Sequence, residues 1–224
     1  MNLRRDTDRP VSECLIRPPH QPIRHPTAPA VPQLGKDTVR PSAVTPTGVE
    51  RTFGVDEIIV SKTDPQGRIT YANPVFVRVS AYAETELLGK PHSIVRHPDM
   101  PRVVFKLLWD TIGSGQEIFA YIDNLAADGA HYWVLAHVTP SYRDGRLIGY
   151  HSNRRLPDRA AVQEISRLYA TLRAEELRHP TPAAAMAASG ALLDAHLAAH
   201  GQSYDELVWG LISGTTPATA GVVR

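Results

Sequence analysis

Residues 118–152 read IFAYIDNLAADGAHYWVLAHVTPSYRDGRLIGYHS, and their punctuation decides the fold. Asp128-Gly129 and Asp144-Gly145 are hairpin dipeptides, since both residue types tolerate the positive φ that tight strand connections need. The segments they separate, Ile118–Leu125, His131–Thr139 and Leu147–Ser152, are rich in β-branched and aromatic residues and alternate in the strand manner. Three strands joined by hairpins follow, an antiparallel meander.

Upstream, Ile58-Ile59-Val60 is β-branched, and the run from Thr63 to Arg68 supplies Asp, Pro and Gly for a turn into Ile69-Thr70-Tyr71-Ala72. Asn73-Pro74 follows at once, an N-cap and a first helical residue, so a short helix runs from Pro74 towards Ser80. Glu84 to Leu88 reads as a further helical turn, ended by Gly89-Lys90-Pro91. Val103, Val104, Leu107, Leu108, Trp109 and Ile112 keep helical spacing up to Gly113-Ser114-Gly115. The predicted class is α+β: a five-stranded antiparallel sheet with short helices on one face, followed by C-terminal helices. The concave side of such a sheet, closed by the helices, is a natural small-molecule pocket.

Between the short helices and the long one lies Ser93-Ile94-Val95-Arg96-His97-Pro98-Asp99-Met100-Pro101. A guanidinium, an imidazole and a carboxylate within four positions, held by two prolines, either pin a turn or hold a polar ligand. His92, His97 and Asp99 lack metal-ligand spacing. No nucleophile–base pairing is legible, so the chain reads as no enzyme. His131 and His137 read as packed or exposed sheet residues, and Arg154-Arg155 as a solvated strand edge.

The composition is that of an ordinary globular protein, with 224 residues, 42% hydrophobic and 21% charged. A net charge of +1 points to no nucleic-acid partner. The single cysteine, Cys14, excludes an internal disulfide and a cysteine-rich zinc site. No apolar run reaches the roughly 18 residues of a membrane span, and no signal-peptide core is present, so the expected compartment is the cytoplasm. Residues 1–48 form a proline-dense leader, expected to be disordered, and its Pro29-Ala30-Val31-Pro32 has the PxxP form. The globular domain is expected over 53–156, a helical extension over 157–213 and a flexible tail over 214–224. In the extension, Val162, Ile165, Tyr169 and Leu172 make an apolar seam that suits either packing onto the sheet or a two-helix dimer.

With these elements placed, residues 58–155 resemble a PAS domain, and more narrowly the sensory PAS domain of bacterial aerotaxis receptors. The residues that carry the resemblance include Thr63-Asp64, Gly67-Arg68-Ile69, Ala72-Asn73, Gly89-Lys90-Pro91-His92, the run Val95 to Pro101, His131-Tyr132-Trp133-Val134 and Gly149-Tyr150. The resemblance implies a non-covalent FAD whose redox state reports oxygen or respiration to a chemotaxis pathway. It makes Arg96, His97 and Asp99 candidate flavin ligands, with Asn73, Phe119, Asn124 and Trp133 completing the candidate cofactor set. Haem is the lesser alternative, and a flavin–cysteine photosensor is excluded because the domain has no cysteine. The chain departs from the family at Ile118, where tryptophan is usual, and at Asp123, where lysine is usual. The implied listener is a chemoreceptor, a histidine kinase or a second copy of the chain. A cofactor-free PAS interaction module is the competing reading.

Overall fold

The computed structural model describes residues 44–214. Most of the leader, with Cys14 and the PxxP fragment, and residues 215–224 of the tail lie outside the described residues.

Two strands, β1 (Ile59–Thr63) and β2 (Ile69–Ala72), come first. They are followed by α1 (Pro74–Ser80), α2 (Glu84–Leu87), a 3-10 turn (His92–Val95) and α3 (Arg102–Gly113). The meander supplies β3 (Ile118–Leu125), β4 (His131–Arg143) and β5 (Arg146–Arg155). Three helices end the described chain: α4 (Arg159–Leu177), α5 (Pro182–Ala199) and α6 (Tyr204–Ser213). The sheet is antiparallel throughout, in the order β2-β1-β5-β4-β3. Among the described residues no helix is long and apolar enough to cross a membrane.

Local chemistry accounts for the connections. Asn73 Oδ1 accepts from Phe76 N at 3.0 Å and so caps α1, while Pro74 occupies the first helical turn. Gly129 has φ +85°, and a side chain there would drive into the Thr45 carbonyl. Thr47 donates from its backbone to Gly129 O at 2.8 Å, so packing against the domain begins upstream of Phe53. At Gly149, φ is +151° and a Cβ would lie 1.9 Å from the Thr63 carbonyl oxygen, so only glycine lets β5 approach β1 here.

Register divides the sheet into two faces. Ile59, Ser61, Tyr150, Ser152, Arg154, Tyr132, Val134, Ala136, Val138, Ile118, Ala120, Ile122 and Asn124 share the inner one, covered by α1, the 3-10 turn and α3. Phe76, Val79, Leu87, Val95, Val104 and Ile112 are buried against it. The outer face carries Phe119, Tyr121, Asp123, His131, Trp133 and His137. Here α4 and α6 cover it: the Tyr169 hydroxyl donates to Tyr121 O at 3.0 Å, and Trp209 packs on Phe119 at 4.9 Å. Val162, Ile165, Tyr169 and Leu172 are all buried within the chain itself. The seam is therefore covered within the chain, by the sheet and by α5.

Candidate functional site

The segment Arg96 to Pro101 runs along the outer edge of β3, where Arg96 bridges Asn124 in antiparallel fashion. It then turns into α3. The Arg96 guanidinium lies 3.9 Å from the centroid of the Phe105 ring, a cation–π contact on α3. His97 is buried, and its Nδ1 accepts from Asp99 N at 3.2 Å. That bond pins the turn. The Asp99 side chain is 83% exposed and 3.9 Å from His97 Nδ1, so it faces water.

His97 points around the edge to the outer face, where its Nδ1 is 3.9 Å from Asp123 Oδ2. Asp123 also meets His131 Nδ1 at 3.1 Å, and its backbone N–H points at Met100 Sδ. Burial pushes the Asp123 carboxyl up from the usual range, opposed by the two histidines. Beside this group a cleft of about 150 Å³ opens between the sheet and α4, lined by Asp99, Met100, Asp123, Trp133, Ser166, Tyr169 and Ala170. Asp123, one of the two departures from the family pattern, lies on the outer face, because one step along a strand from Ile122 or Asn124 reverses a side chain. Ile118, in contrast, is on the inner face and buried.

The seven candidate cofactor residues are not gathered around one cavity. Phe119 stacks on His137 at 4.1 Å beneath α6, and Trp133 lies 6.3 Å from the Tyr169 ring beneath α4, both on the outer face. Asn124 is buried on the inner face. Asn73 is engaged in joining β1 to α1, accepting from Val60 N and donating to Ile58 O. Arg96, His97 and Asp99 occupy the β3 edge between the two faces.

The interior holds a polar group that the sequence reading missed. Arg154 is not a solvated edge: only 4% of it is exposed, while Arg155 beside it is exposed. Its Nη2 donates to Ser61 Oγ at 2.7 Å and to His92 Nε2. Its guanidinium carbon lies 5.1 Å from the Phe76 ring centroid, and Phe76 in turn stacks on His92. Burial, then the neighbouring guanidinium, holds His92 well below the ordinary imidazole range, so it sits neutral and accepts. Four buried polar atoms of this region find no protein partner: Arg154 Nη1, Tyr132 Oη, Ser152 Oγ and Thr63 Oγ1. The signal that would have found it is the period of two in β5, which places Arg154 on the same face as apolar Tyr150.

Residues 69–153 match the sequence family described as PAS fold. The aerotaxis receptor of Escherichia coli (strain K12) is 40% identical over 119 residues, covering 53% of this chain and 24% of that protein. A nitrogen fixation regulatory protein of Klebsiella pneumoniae is 32% identical over 83 residues, covering 37% of this chain and 17% of that protein. The chain thus spans no more than 24% of the length of either relative. Among solved structures, the dark structure of the blue-light photoreceptor Aureochrome1 LOV aligns over 49% of this chain and 81% of its own, at 20% identity and a TM-score of 0.43.

Proposed function

With a PAS fold over residues 69–153 as the premise, we propose that the chain is a cytoplasmic signal-transduction sensor of the aerotaxis type. It is not an enzyme in this reading. It holds FAD non-covalently between the sheet and α1–α3, and its output passes through α4–α6 to a chemoreceptor, a histidine kinase or a second copy. The observation that carries the proposal is the set of unpartnered polar atoms on the inner face, within a segment 40% identical to an aerotaxis receptor.

The residues present fit such a guest. Buried polar groups are almost always hydrogen-bonded, and four without partners in one interior call for a guest that supplies them. Ser61, Ala120, Ala136 and Ser152 also keep the middle of the inner face low. Arg154, Tyr132 and Ser152 would hold the carbonyl-rich edge of an isoalloxazine. Arg96 and Asn124, at the β3 edge, would hold the part of the cofactor that leaves the interior. FAD supplies reversible electron transfer when bound. The protein's part is to fix the ring, exclude water and carry a change of packing to the outer face.

The test is the absorption spectrum of the purified chain. Flavin bands, released on denaturation and identified as FAD, are the expected result. A chain that stays colourless after refolding with excess FAD refutes the cofactor and favours the cofactor-free interaction module.

A further inference from the structure

A guanidinium buried in an apolar interior needs negative charge nearby, and Arg154 has none in the protein. Among the described residues no carboxylate lies within ion-pair distance of it. Its two partners, Ser61 Oγ and His92 Nε2, are neutral acceptors, and both engage the same nitrogen, Nη2. The other, Nη1, is buried without an acceptor. Desolvation pushes the guanidinium pKa down to about 10, a sign of how poorly the protein alone compensates this charge.

A structural role does not explain the arrangement. Strands β1 and β5 are already paired through Ile59–Arg154 and Ser61–Ser152, so no side-chain pin is needed to hold them. A hydrophobic side chain of similar reach would bury at lower cost, since an ion without its counter-ion is among the most expensive groups to enclose. The neighbouring hydroxyls of Tyr132 and Ser152, also unpartnered, add donors on the same face. Free guanidinium N–H plus hydroxyl donors select acceptor oxygens that carry a full or partial negative charge.

We infer that the interior contains an acceptor subsite anchored by Arg154 and aimed by Ser61 and His92, which takes the carboxylate of a small ligand or the carbonyl oxygens of a cyclic imide. This deepens the sensor reading by naming the chemistry of the guest, and it does not require the guest to be FAD. A flavin presents an imide, and a small organic acid presents a carboxylate.

Thermal unfolding of the full chain at constant ionic strength separates the sources. One arm uses FAD and lumiflavin as probes; the other uses succinate, with its neutral diamide as the control. Binding in at least one arm is expected, with the diamide inactive. Arg154→Met should weaken that binding about tenfold to a hundredfold, the loss of a charge-assisted hydrogen bond, and leave the ligand-free midpoint unchanged or raised. Arg154→Lys should fall between. If the Met variant does not fold, Ser61→Ala, which keeps the charge and removes one aiming partner, should weaken binding several-fold. Succinate binding without flavin binding supports the subsite and refutes the cofactor. Flavin binding that is as tight in Arg154→Met as in the native chain supports the cofactor and overturns the subsite. No binding by any probe also overturns it, as does a Met variant that loses stability without losing ligand.

Discussion

Replacing Glu176 by alanine should loosen the joint between the PAS unit and its C-terminal helices. Helix α3 begins at Arg102 with no side-chain cap of its own, because Pro101 occupies the capping position. Its cap comes from a residue 73 positions away: Glu176 Oε1, on α4, accepts from Val103 N at 3.1 Å. The same oxygen accepts from Ser189 Oγ on α5 at 3.2 Å, so one buried carboxylate ties three helices together. A carboxylate also complements the positive end of α3. Hydrogen bonds to charged groups contribute about 1.5–3 kcal/mol each. Alanine loses two of them and strands a buried N–H, but recovers part of the carboxylate's desolvation cost. The expected net loss is about 2–4 kcal/mol. At about 2–4 °C per kcal/mol for a domain of this size, the midpoint should fall by roughly 4–16 °C. Urea unfolding at constant m-value measures the loss directly, and hydrogen exchange at the Val103 amide should accelerate with it. Glu176→Gln keeps an acceptor at Oε1 and should cost about 1 kcal/mol. An alanine variant within 1 kcal/mol of the native chain, or equal to the glutamine variant, would refute the capping argument.

Tyr169→Phe removes a hydroxyl that donates to Tyr121 O and shares a hydrogen bond with Tyr204, each at 3.0 Å. The change leaves buried groups unpartnered on the sheet and on α6, so denaturation should show a loss of about 1–3 kcal/mol. For His92 the sign follows from its depressed folded pKa. Below about pH 6.5 the unfolded chain takes up a proton that the folded chain refuses. Stability contributed by this group is therefore present above pH 6.5 and is lost as pH falls, by up to about 1.4 kcal/mol per unit. Unfolding free energies at pH 7 and at pH 5.5 should differ less in His92→Gln than in the native chain; equal differences would remove His92 from the account.

The fold was legible wherever the instruction is local. Asp128-Gly129 and Asp144-Gly145 mark both hairpins, and Asn73-Pro74 starts α1 at the residue where the helix begins. Strand β4 runs to Arg143, past Thr139, because pairing with β5 carries Pro140 and Ser141 into the ladder. The site was less legible, for two reasons. Hydropathy assigns any arginine to solvent, so Arg154 was read as an edge residue although its strand alternation puts it inside. Phe119 and Trp133 stand in the candidate cofactor set although α6 and α4 cover them on the outer face, because nothing in the sequence says that these helices return there. That return depends on long-range contacts such as Tyr169 to Tyr121. The dense polar run at Arg96–Asp99 reads in sequence as either a turn pin or a ligand site. Its members divide between a turn lock, a ring contact and solvent.

The short 3-10 turn makes contact at both margins of the sheet. At its start, Ile69 N donates to Lys90 O and His92 N to Gly67 O, so β2 already has a neighbour on its open side. At its end, Arg96 bridges Asn124 on β3. From Pro91 to Arg96 the chain reaches at most roughly 18 Å, whereas the four inter-strand gaps and the two that join the strap to its bridges would measure about 29 Å laid flat. The sheet is thus curled into a half-barrel, and this strap closes the opening between its margins. Exposed strand edges recruit strands from other molecules. Here each margin has part of its length occupied by the chain itself, which guards a five-stranded open sheet against edge-to-edge polymerisation.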